Sequence, residues 1–301
     1  MDDFIQPLSE EFSDIFFIRG KNNARYPYSN SLLIGDHLID TGISPAHLRK
    51  LKRTFPINHV LFTHWHEDHI SGNFLLNNVK FYCHSKDVLP IENVEKMIPL
   101  YNVRNTPVED ELISLIKLLR MQNVKIDALI GDNDIFDVDE QLKLKVLFTP
   151  GHTGGHCAFY ELSSKIAFLG DIDLTRHPYY GNLDASLIEF EESIAKIKSL
   201  DVNIVVTGHR GMIEGKKKIN EEIEKYKSIL HERDERILTF FSERRRPIKL
   251  NEFKNFNIIY RKYSAFKDFE IIAELLMIEK HLEKFLKEEI ITENNNGYVL
   301  N

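Results

Sequence analysis

The stretch LFTHWHEDHISG, residues 61–72, places three histidines and one aspartate within six consecutive positions. The apolar run HVLF leads into it, a pattern typical of a buried strand that ends in a turn. Imidazole nitrogens and carboxylate oxygens are both metal ligands, so the stretch predicts part of a metal site. Four side chains are too few to hold two ions. Whether the site is complete therefore depends on the rest of the chain.

Three further strand-like runs end in the same way, with a turn followed by a potential ligand. LKVLF leads to TPGH, IAFL leads to GD, and NIVV leads to TGH. Rigid strands fix the backbone positions, and glycine turns let the side chains converge at one end of a sheet. The resulting set of imidazoles and carboxylates suits two ions, because a carboxylate can bridge a pair. The seven candidate ligands are His64, His66, Asp68, His69, His152, Asp171 and His209.

These motifs resemble the signature of the metallo-β-lactamase-fold hydrolase superfamily. The pattern HxHxDH at residues 64–69, followed by TPGHTGGH, GDID and TGHRG, matches that signature in identity and order. The resemblance covers roughly residues 12–215 and implies an αββα sandwich with two metal ions at one edge of the packed sheets. It implies that His64, His66 and His152 hold the first ion, that Asp68, His69 and His209 hold the second, and that Asp171 bridges both.

The resemblance and the ligand set together predict a hydrolase. Two cations about 3.5–4 Å apart lower the pKa of a bridging water toward neutrality, and the resulting hydroxide attacks a carbonyl or phosphoryl centre. Asp171 and Asp68 are the catalytic candidates, and the family implies that Asp68 also orients the nucleophile. The oxygen-reducing di-iron branch usually has glutamate where this chain has His66. Zinc is therefore the expected metal, with iron and manganese as alternatives.

The expected substrate is a small ester, thioester or lactone, and glyoxalase II-like thioester cleavage is the nearest named reaction. Arg176, Tyr179 and Tyr180 follow the bridging aspartate and are candidates for lining the substrate pocket or donating to an oxyanion. The alternative for this stretch is a surface loop anchored by aromatic residues.

Several residues near the ligands call for a separate interpretation. Asp40, in LIDTG, resembles the family aspartate that holds the outer nitrogen of a ligand histidine, with turn capping as the alternative. His156 is expected to support the site rather than to add a ligand, and His84 to be an ordinary buried or surface histidine. Trp65 is expected to pack, and Glu67 to face solvent or form an ion pair.

The order of predicted elements indicates an α/β catalytic domain at residues 1–215 and a helical domain at residues 216–301. Residues 87–130 are predicted as a mostly helical insertion near the active site. A helix is predicted at 44–54, with Ser44 as its cap, and another around 186–200. After a long polar helix from residue 216, a second helix leads into IITENNNGYVL, two short strands around an Asn-rich turn, which is the shape of a winged helix.

The basic segment SERRRPIK, residues 242–249, keeps a second enzyme class open. With a winged helix it suggests a phosphodiesterase or single-strand ribonuclease that contacts RNA or DNA. A solvated helix end is the alternative, since arginines are favourable near a helix C-terminus. A third interpretation is a nucleic-acid- or protein-binding module with a structural metal site. The full ligand set argues against it, because structural zinc sites are mononuclear and four-coordinate.

Composition indicates an ordinary globular chain of 301 residues with a net charge of −7 and 43% apolar residues. The two cysteines, Cys83 and Cys157, lie in apolar stretches and are expected to be buried thiols. The acidic N-terminus predicts no signal peptide, and no apolar run approaches the roughly 18 residues of a membrane span. A cytoplasmic location without membrane association is therefore expected, and the C-terminal domain could serve as a homodimer contact.

Overall fold

The computed structural model describes residues 3–301, and two β-sheets lie at its centre. In the first sheet the strands follow one another in chain order, β1 to β7. Neighbouring strands are antiparallel from β1 to β4 and parallel from β4 to β7. These strands are β1 (Ile5–Pro7), β2 (Ile15–Ile18), β3 (Ser31–Ile34), β4 (His37–Ile39), β5 (His59–Leu61), β6 (Lys80–His84) and β7 (Ala128–Ile130).

The second sheet has six strands, again arranged in chain order from β8 to β13. Only β11 and β12 are parallel, and α7 (Leu187–Lys198) lies between them in the chain. The remaining pairs are antiparallel. These strands are β8 (Ile135–Asp137), β9 (Lys143–Phe148), β10 (Cys157–Glu161), β11 (Ile166–Phe168), β12 (Ile204–Thr207) and β13 (Gly211–Glu214).

The two sheets pack face to face, and helices cover their outer faces. In β2, Ile15 and Phe17 belong to the core between the sheets, whereas Phe16 and Ile18 pack under helices, so the whole strand is buried. In β9, Val146 points to the same inner core and Leu147 to the outer helices. This alternation confirms the αββα sandwich of the expected fold class.

Six further helices precede α7, and two follow it. The prediction for residues 44–54 is confirmed: the Ser44 hydroxyl accepts from the His47 amide at the start of α2, and Pro45 occupies the first turn. The helices are α1 (Lys21–Ala24), α2 (Pro45–Thr54), α3 (Glu67–Ile70), α4 (Val88–Glu92), α5 (Met97–Leu100), α6 (Pro107–Leu118), α8 (Lys216–Arg244) and α9 (Lys267–Lys287), with short 3₁₀ turns at Asn73–Leu75, Ser85–Asp87, Val94–Lys96 and Leu250–Phe253.

The strands with the weakest signal in the sequence are the four edge strands: β1 and β7 of the first sheet, and β8 and β13 of the second. An edge strand pairs on one side only and can be short and partly exposed, so its apolar alternation is weak. In β7 both Ala128 and Leu129 are exposed. The segment 87–130 contains α4, α5 and α6 and ends in β7, which pairs with β6. That it is an insertion near the active site stays a prediction.

The C-terminal segment shares its core with the second sheet. Helix α8 buries Ile219, Ile223, Tyr226 and Leu230 in the cluster that contains α7, so its inner face is less polar than expected. The predicted hairpin is present as β14 (Ile291–Asn294) and β15 (Gly297–Leu300). The domain boundary at residue 215 and the likeness to a winged helix stay predictions. Within residues 3–301, none of the helices has the length and hydropathy that a membrane crossing requires.

Candidate metal centre

The seven predicted ligands meet at one edge of the sandwich, where four strands end. Residues 64–69 follow β5 and lead into α3, whose four residues are all buried. His152 follows β9, Asp171 follows β11, and His209 follows β12. The sequence prediction that turns would bring these strand ends together therefore holds geometrically.

The first group consists of three histidines whose ring nitrogens face one another. His64 Nε2 lies 3.0 Å from His66 Nδ1 and 3.2 Å from His152 Nε2, and the last two nitrogens are 2.9 Å apart. Ligands arranged tetrahedrally about zinc at about 2.0–2.1 Å are separated by about 3.3–3.4 Å. The observed triangle is slightly smaller than one face of such a tetrahedron, so the three nitrogens fit a single small cation.

The second group is Asp68, His69 and His209, and Asp171 lies between the two groups. Asp68 Oδ2 is 3.3 Å from His209 Nε2. Asp171 Oδ1 lies 3.0 Å from His69 Nε2 and 3.4 Å from His209 Nε2. Its other oxygen, Oδ2, lies 3.4 Å from His152 Nε2 and 4.0 Å from His64 Nε2. One carboxylate thus presents one oxygen to each group.

Two atoms of this arrangement lack the hydrogen bonds that burial normally requires. His69 Nε2 and Asp171 Oδ1 are 3.0 Å apart, and His209 Nε2 lies 3.4 Å from the same oxygen, but neither His69 Nε2 nor Asp171 Oδ1 makes a hydrogen bond within residues 3–301. An unsatisfied buried polar atom is costly, and it calls for an explanation such as a bound ion. The orphaned pair therefore supports the fit of the site to a metal.

In each ligand histidine one ring nitrogen faces the centre and the other points away from it. The hydrogen bond made by the nitrogen that points away shows whether the nitrogen facing the centre carries a lone pair. His69 Nδ1 donates to Asp40 Oδ2 at 2.7 Å, and His64 Nδ1 donates to the Thr63 hydroxyl at 2.9 Å. That hydroxyl in turn donates to Asp40 Oδ2 at 2.7 Å. Because each Nδ1 carries the proton, each Nε2 keeps its lone pair for the centre. Asp40 therefore has the position that the family resemblance implies for it.

Two more histidines are held through backbone carbonyls. His152 Nδ1 donates to the Tyr179 carbonyl at 2.7 Å, and His209 Nδ1 donates to the Ala24 carbonyl at 2.8 Å. Ala24 is the last residue of α1, where residues 22–24 all have positive φ and form a left-handed turn rather than a regular α-helix, a conformation that costs an alanine about 1–2 kcal/mol. No pattern in the sequence indicates this contact.

His66 is oriented differently, because its Nδ1 faces the group. The side-chain nitrogen of Asn182 lies 2.8 Å from His66 Nε2 on the opposite side of the ring. The same amide with its oxygen turned to the ring accepts the Nε2 proton and leaves Nδ1 its lone pair. Asn182 is fully buried and was missed in the sequence, where no motif distinguishes it from other loop asparagines.

The histidines of the two groups differ in the direction of their pKa shifts. Burial, and then the neighbouring imidazoles, lower the pKa of His64 and His66 well below the ordinary value for histidine. Burial acts in the same direction at His69 and His209, but the surrounding carboxylates, chiefly Asp171, overcome it and raise both pKa values well above the ordinary value. The surplus of negative charge therefore favours a cation at the second group, and a bound metal ion would supply it while each Nε2 keeps its lone pair.

His156 supports the site from behind. Its Nδ1 donates to the Thr149 carbonyl at 3.0 Å, and its Nε2 accepts from the Asp171 amide at 3.1 Å. Burial, and then His152, lower its pKa to about 3, so it is neutral and can accept. A Cβ at Gly170 would lie 2.6 Å from His156 Nε2, and Gly170 has φ +53°, so glycine is required there. His156 fixes the backbone of the bridging aspartate.

Glu67 does not face solvent, and that expectation was wrong. It is 3% exposed and accepts hydrogen bonds from Tyr26 at 2.5 Å and Tyr101 at 2.6 Å. Burial, and then Asp68, raise the pKa of its carboxyl. Trp65 packs in the core as expected, and its indole N–H also donates to Asp184 at 3.0 Å.

The structure places the three pocket candidates in different environments. Tyr180 is fully buried, and its hydroxyl lies 2.8 Å from His281 Nε2, so it points into the C-terminal helices and does not line an open pocket. Tyr179 is half-buried, with its ring about 6 Å from those of His66 and His152. Arg176 is exposed, and a pocket role for it stays a prediction.

The basic segment 242–249 is partly engaged within the chain. The Arg244 guanidinium lies 3.3 Å from the centroid of the Phe240 ring. Arg246 forms an ion pair with Glu252 at 2.5 Å. These contacts leave fewer free charges than the sequence suggested, and no partner of the segment is established.

Two other clusters of potential ligands lie elsewhere in the described residues. In one, the Lys284 ammonium is 2.8 Å from Glu191 and 2.9 Å from Asp234, so an internal cation already neutralises the acidic groups. In the other, the rings of His37 and His59 stack in parallel at 4.2 Å. The lone pairs of two parallel rings lie in parallel planes and do not converge on one point. This pair is therefore poorly arranged to bind a metal ion.

Comparison with known proteins assigns the chain to a family. Residues 27–209 match the family model of the metallo-beta-lactamase superfamily. A metallo-beta-lactamase family protein from Thermus thermophilus superposes with a TM-score of 0.67 at 19% identity, covering 99% of this chain and 97% of its own. The "Beta-lactamase-like protein 2 homolog" of Caenorhabditis elegans is 23% identical over 79% of this chain and 75% of its own length.

Two other relatives carry names that describe a reaction. The atrochrysone carboxyl ACP thioesterase of Aspergillus fumigatus is 28% identical over 62% of this chain, and the chain spans 51% of that protein. The hydroxyacylglutathione hydrolase of Erythrobacter litoralis is 28% identical over 44% of this chain, and the chain spans 41% of it.

The chain belongs to the metallo-beta-lactamase superfamily. It is a hydrolase of that fold, and its His/Asp cluster fits a metal site.

Proposed function

We propose that the protein is a binuclear metal-dependent hydrolase of small thioesters, esters or lactones. The observation that carries the proposal is the Asp171 carboxylate, whose two oxygens face two separate groups of ligating atoms. Among the relatives, one is named as a thioesterase and another as a hydrolase of hydroxyacylglutathione, whose acyl group is joined to the glutathione sulfur. This favours a thioester within the proposed substrate class.

We assign the metal ligands as follows. The first group would hold one ion, the second group would hold the other, and Asp171 would contribute one oxygen to each. Nitrogen-rich ligands of this kind favour zinc, and we propose zinc for both positions. The ligands are His64, His66 and His152 for the first ion, and Asp68, His69 and His209 for the second.

Two divalent ions bound there would supply Lewis acidity and make hydroxide available near neutral pH. The chain itself provides the geometry. Asp40 fixes His69, and His156 fixes the backbone of Asp171, so both sides of the centre are held before substrate arrives. Asp68 orients the nucleophile. Hydrolysis at such a centre requires no serine triad.

Substrate approaches from the side of His209 and Asp171. Their side chains are 20% and 12% exposed, whereas His64 and His69 are fully buried. Tyr179 lies on the His66 and His152 side and is the better supported of the pocket candidates.

Initial hydrolysis rates on matched compounds test the proposal. Zinc-loaded protein is assayed on a small acyl thioester, a lactone and a generic phosphodiester, with Asp171→Ala as the inactive variant. Asp137→Ala, at an exposed ion pair with Lys143, is the matched control. We expect turnover of the carbonyl compounds, lost in Asp171→Ala and retained in Asp137→Ala. Preference for the phosphodiester would favour the nuclease alternative, and equal rates in all three proteins would contradict a metal-centred reaction.

A further inference from the structure

A short segment, residues 178–182, connects the metal centre to the C-terminal helices. On the metal side, its Tyr179 carbonyl accepts from His152 and its Asn182 amide contacts His66. Two of the three imidazoles of the first group are therefore oriented by this one segment.

The segment has no regular structure of its own. No helix or strand occurs between the end of β11 at residue 168 and the start of α7 at residue 187. Its conformation is therefore not set by a ladder of backbone hydrogen bonds. Side-chain and packing contacts from outside the segment must hold it in place.

Those contacts come from α8 and α9. Arg233 Nη1 donates to the Pro178 carbonyl at 2.7 Å and to the Tyr180 hydroxyl at 2.9 Å. His281 Nε2 lies 2.8 Å from the same hydroxyl. Gly181 packs so closely on α9 that a Cβ there would lie 3.0 Å from the Ala273 carbonyl. Both helices therefore contact the segment and hold it in place.

Arg233 is the central element of this contact. Its side chain is 3% exposed, and its guanidinium lies over the Tyr180 ring at 5.3 Å. A buried charge is expensive and is poor evidence for added stability by itself. The oxygens that receive its hydrogen bonds belong to the 178–182 segment, which indicates that it fixes that segment's position.

We infer that Arg233 is a positioning residue for the metal centre: it holds residues 178–182, which in turn orient His152 and His66. The C-terminal helices are then a structural part of the first metal position rather than an appendage. This inference rests on the proposed binuclear function, because it assigns a support to ligands that the proposal names.

The test compares Arg233→Met with Arg244→Met, a substitution in the same helix whose guanidinium stacks on Phe240 away from the segment. Metal affinity is measured by chelator competition, and the cobalt-substituted proteins are compared by absorption spectrum. Loss of an outer support typically weakens metal binding about 10–100-fold, and we expect at least about 10-fold for the first ion in Arg233→Met. The cobalt spectrum should change in that variant, while Arg244→Met should match the wild type in both measurements.

Two additional variants keep the test decisive. Tyr180→Phe removes only a hydroxyl, so it serves if Arg233→Met fails to fold, and it should shift the affinity in the same direction. Arg233→Lys keeps one donor for the Pro178 carbonyl and should recover part of the affinity. Folded Arg233→Met, or Tyr180→Phe in its place, with wild-type affinity and spectrum would overturn the inference alone. Wild-type protein that binds no metal would overturn the proposed function and the inference together.

Discussion

The two ligand groups differ in what surrounds them. The first group consists of imidazoles whose pKa values are lowered by burial, and its outer contacts come from Thr63, the Tyr179 carbonyl and the Asn182 amide. The second is flanked by carboxylates that raise the pKa of its histidines, and it lies nearer to solvent. The geometry of the first group therefore depends mainly on hydrogen bonds to uncharged groups, and that of the second mainly on fixed negative charge.

The largest expected effect is on the residue that both groups share. Asp171→Ala removes one oxygen from each group, so we expect kcat/KM on the preferred substrate to fall at least about 1,000-fold, or about 4 kcal/mol of transition-state stabilisation. Steady-state kinetics with metal-saturated protein would measure it. A variant that kept a tenth of the wild-type rate would contradict the bridging role.

A second variant changes the carboxylate behind His69. Asp40→Asn keeps the side-chain size, and asparagine tolerates the φ of +61° found at this position, so the fold should persist. The direct acceptor for His69 Nδ1 is weakened, and we expect metal affinity in the second group to fall about 10–100-fold. Asp40 reaches His64 of the first group only through the Thr63 hydroxyl, so the first ion should lose less affinity than the second.

Asp36→Asn is its control, since Asp36 lies 2.8 Å from His37 at the opposite end of β4. Competition titrations should show wild-type affinity in the control. If Asp40→Asn also bound both ions normally, the negative charge behind His69 would not matter to the second group.

A third variant tests the dependence of the first group on its contacts with uncharged polar groups. Asn182→Ala removes the amide that lies against His66. We expect the affinity for the first metal ion to fall about 10-fold, the lower end of the range for residues that support a metal ligand. The second ion should bind normally. Asn58→Ala, at an exposed asparagine bonded to Asp36, is the control. Equal losses at both ions would mean that the groups are not independent.

The smallest effect is expected at Ala24. Ala24→Gly relieves a left-handed alanine but makes the unfolded chain more flexible, so these two effects nearly cancel. We expect the free energy of unfolding to stay within about 1 kcal/mol of wild type, and metal binding to be unchanged because the carbonyl that holds His209 remains. Denaturant titration measures the first quantity, and a large loss would indicate that the methyl group itself packs against the site.

The parts of the molecule that the sequence predicted share a physical cause. Central strands bury both faces, so their apolar runs are strong, and a ligand just beyond a glycine turn stands out against them. HVLF before His64 and IAFL before Asp171 are examples. The αββα fold followed from the same pattern together with the family resemblance.

The parts that were missed depend on contacts between distant segments. Glu67 resembles a surface residue in the sequence, because its tyrosine partners are 41 and 34 positions away in the chain. The expectation for Tyr180 was reversed by Arg233 and His281, which lie in the C-terminal helices. Edge strands such as β8 are only three residues long and leave little periodic signal. No local pattern contains this information.

The number of metal ions bound per chain tests the binuclear centre most directly. Elemental analysis of zinc-saturated, gel-filtered protein would be compared between the wild type and Asp171→Ala. We predict about two ions in the wild type and fewer in the variant, because a bridging carboxylate serves both positions. One ion or none in the wild type, or two in both proteins, would contradict the claim that Asp171 joins two ligand groups into a single centre.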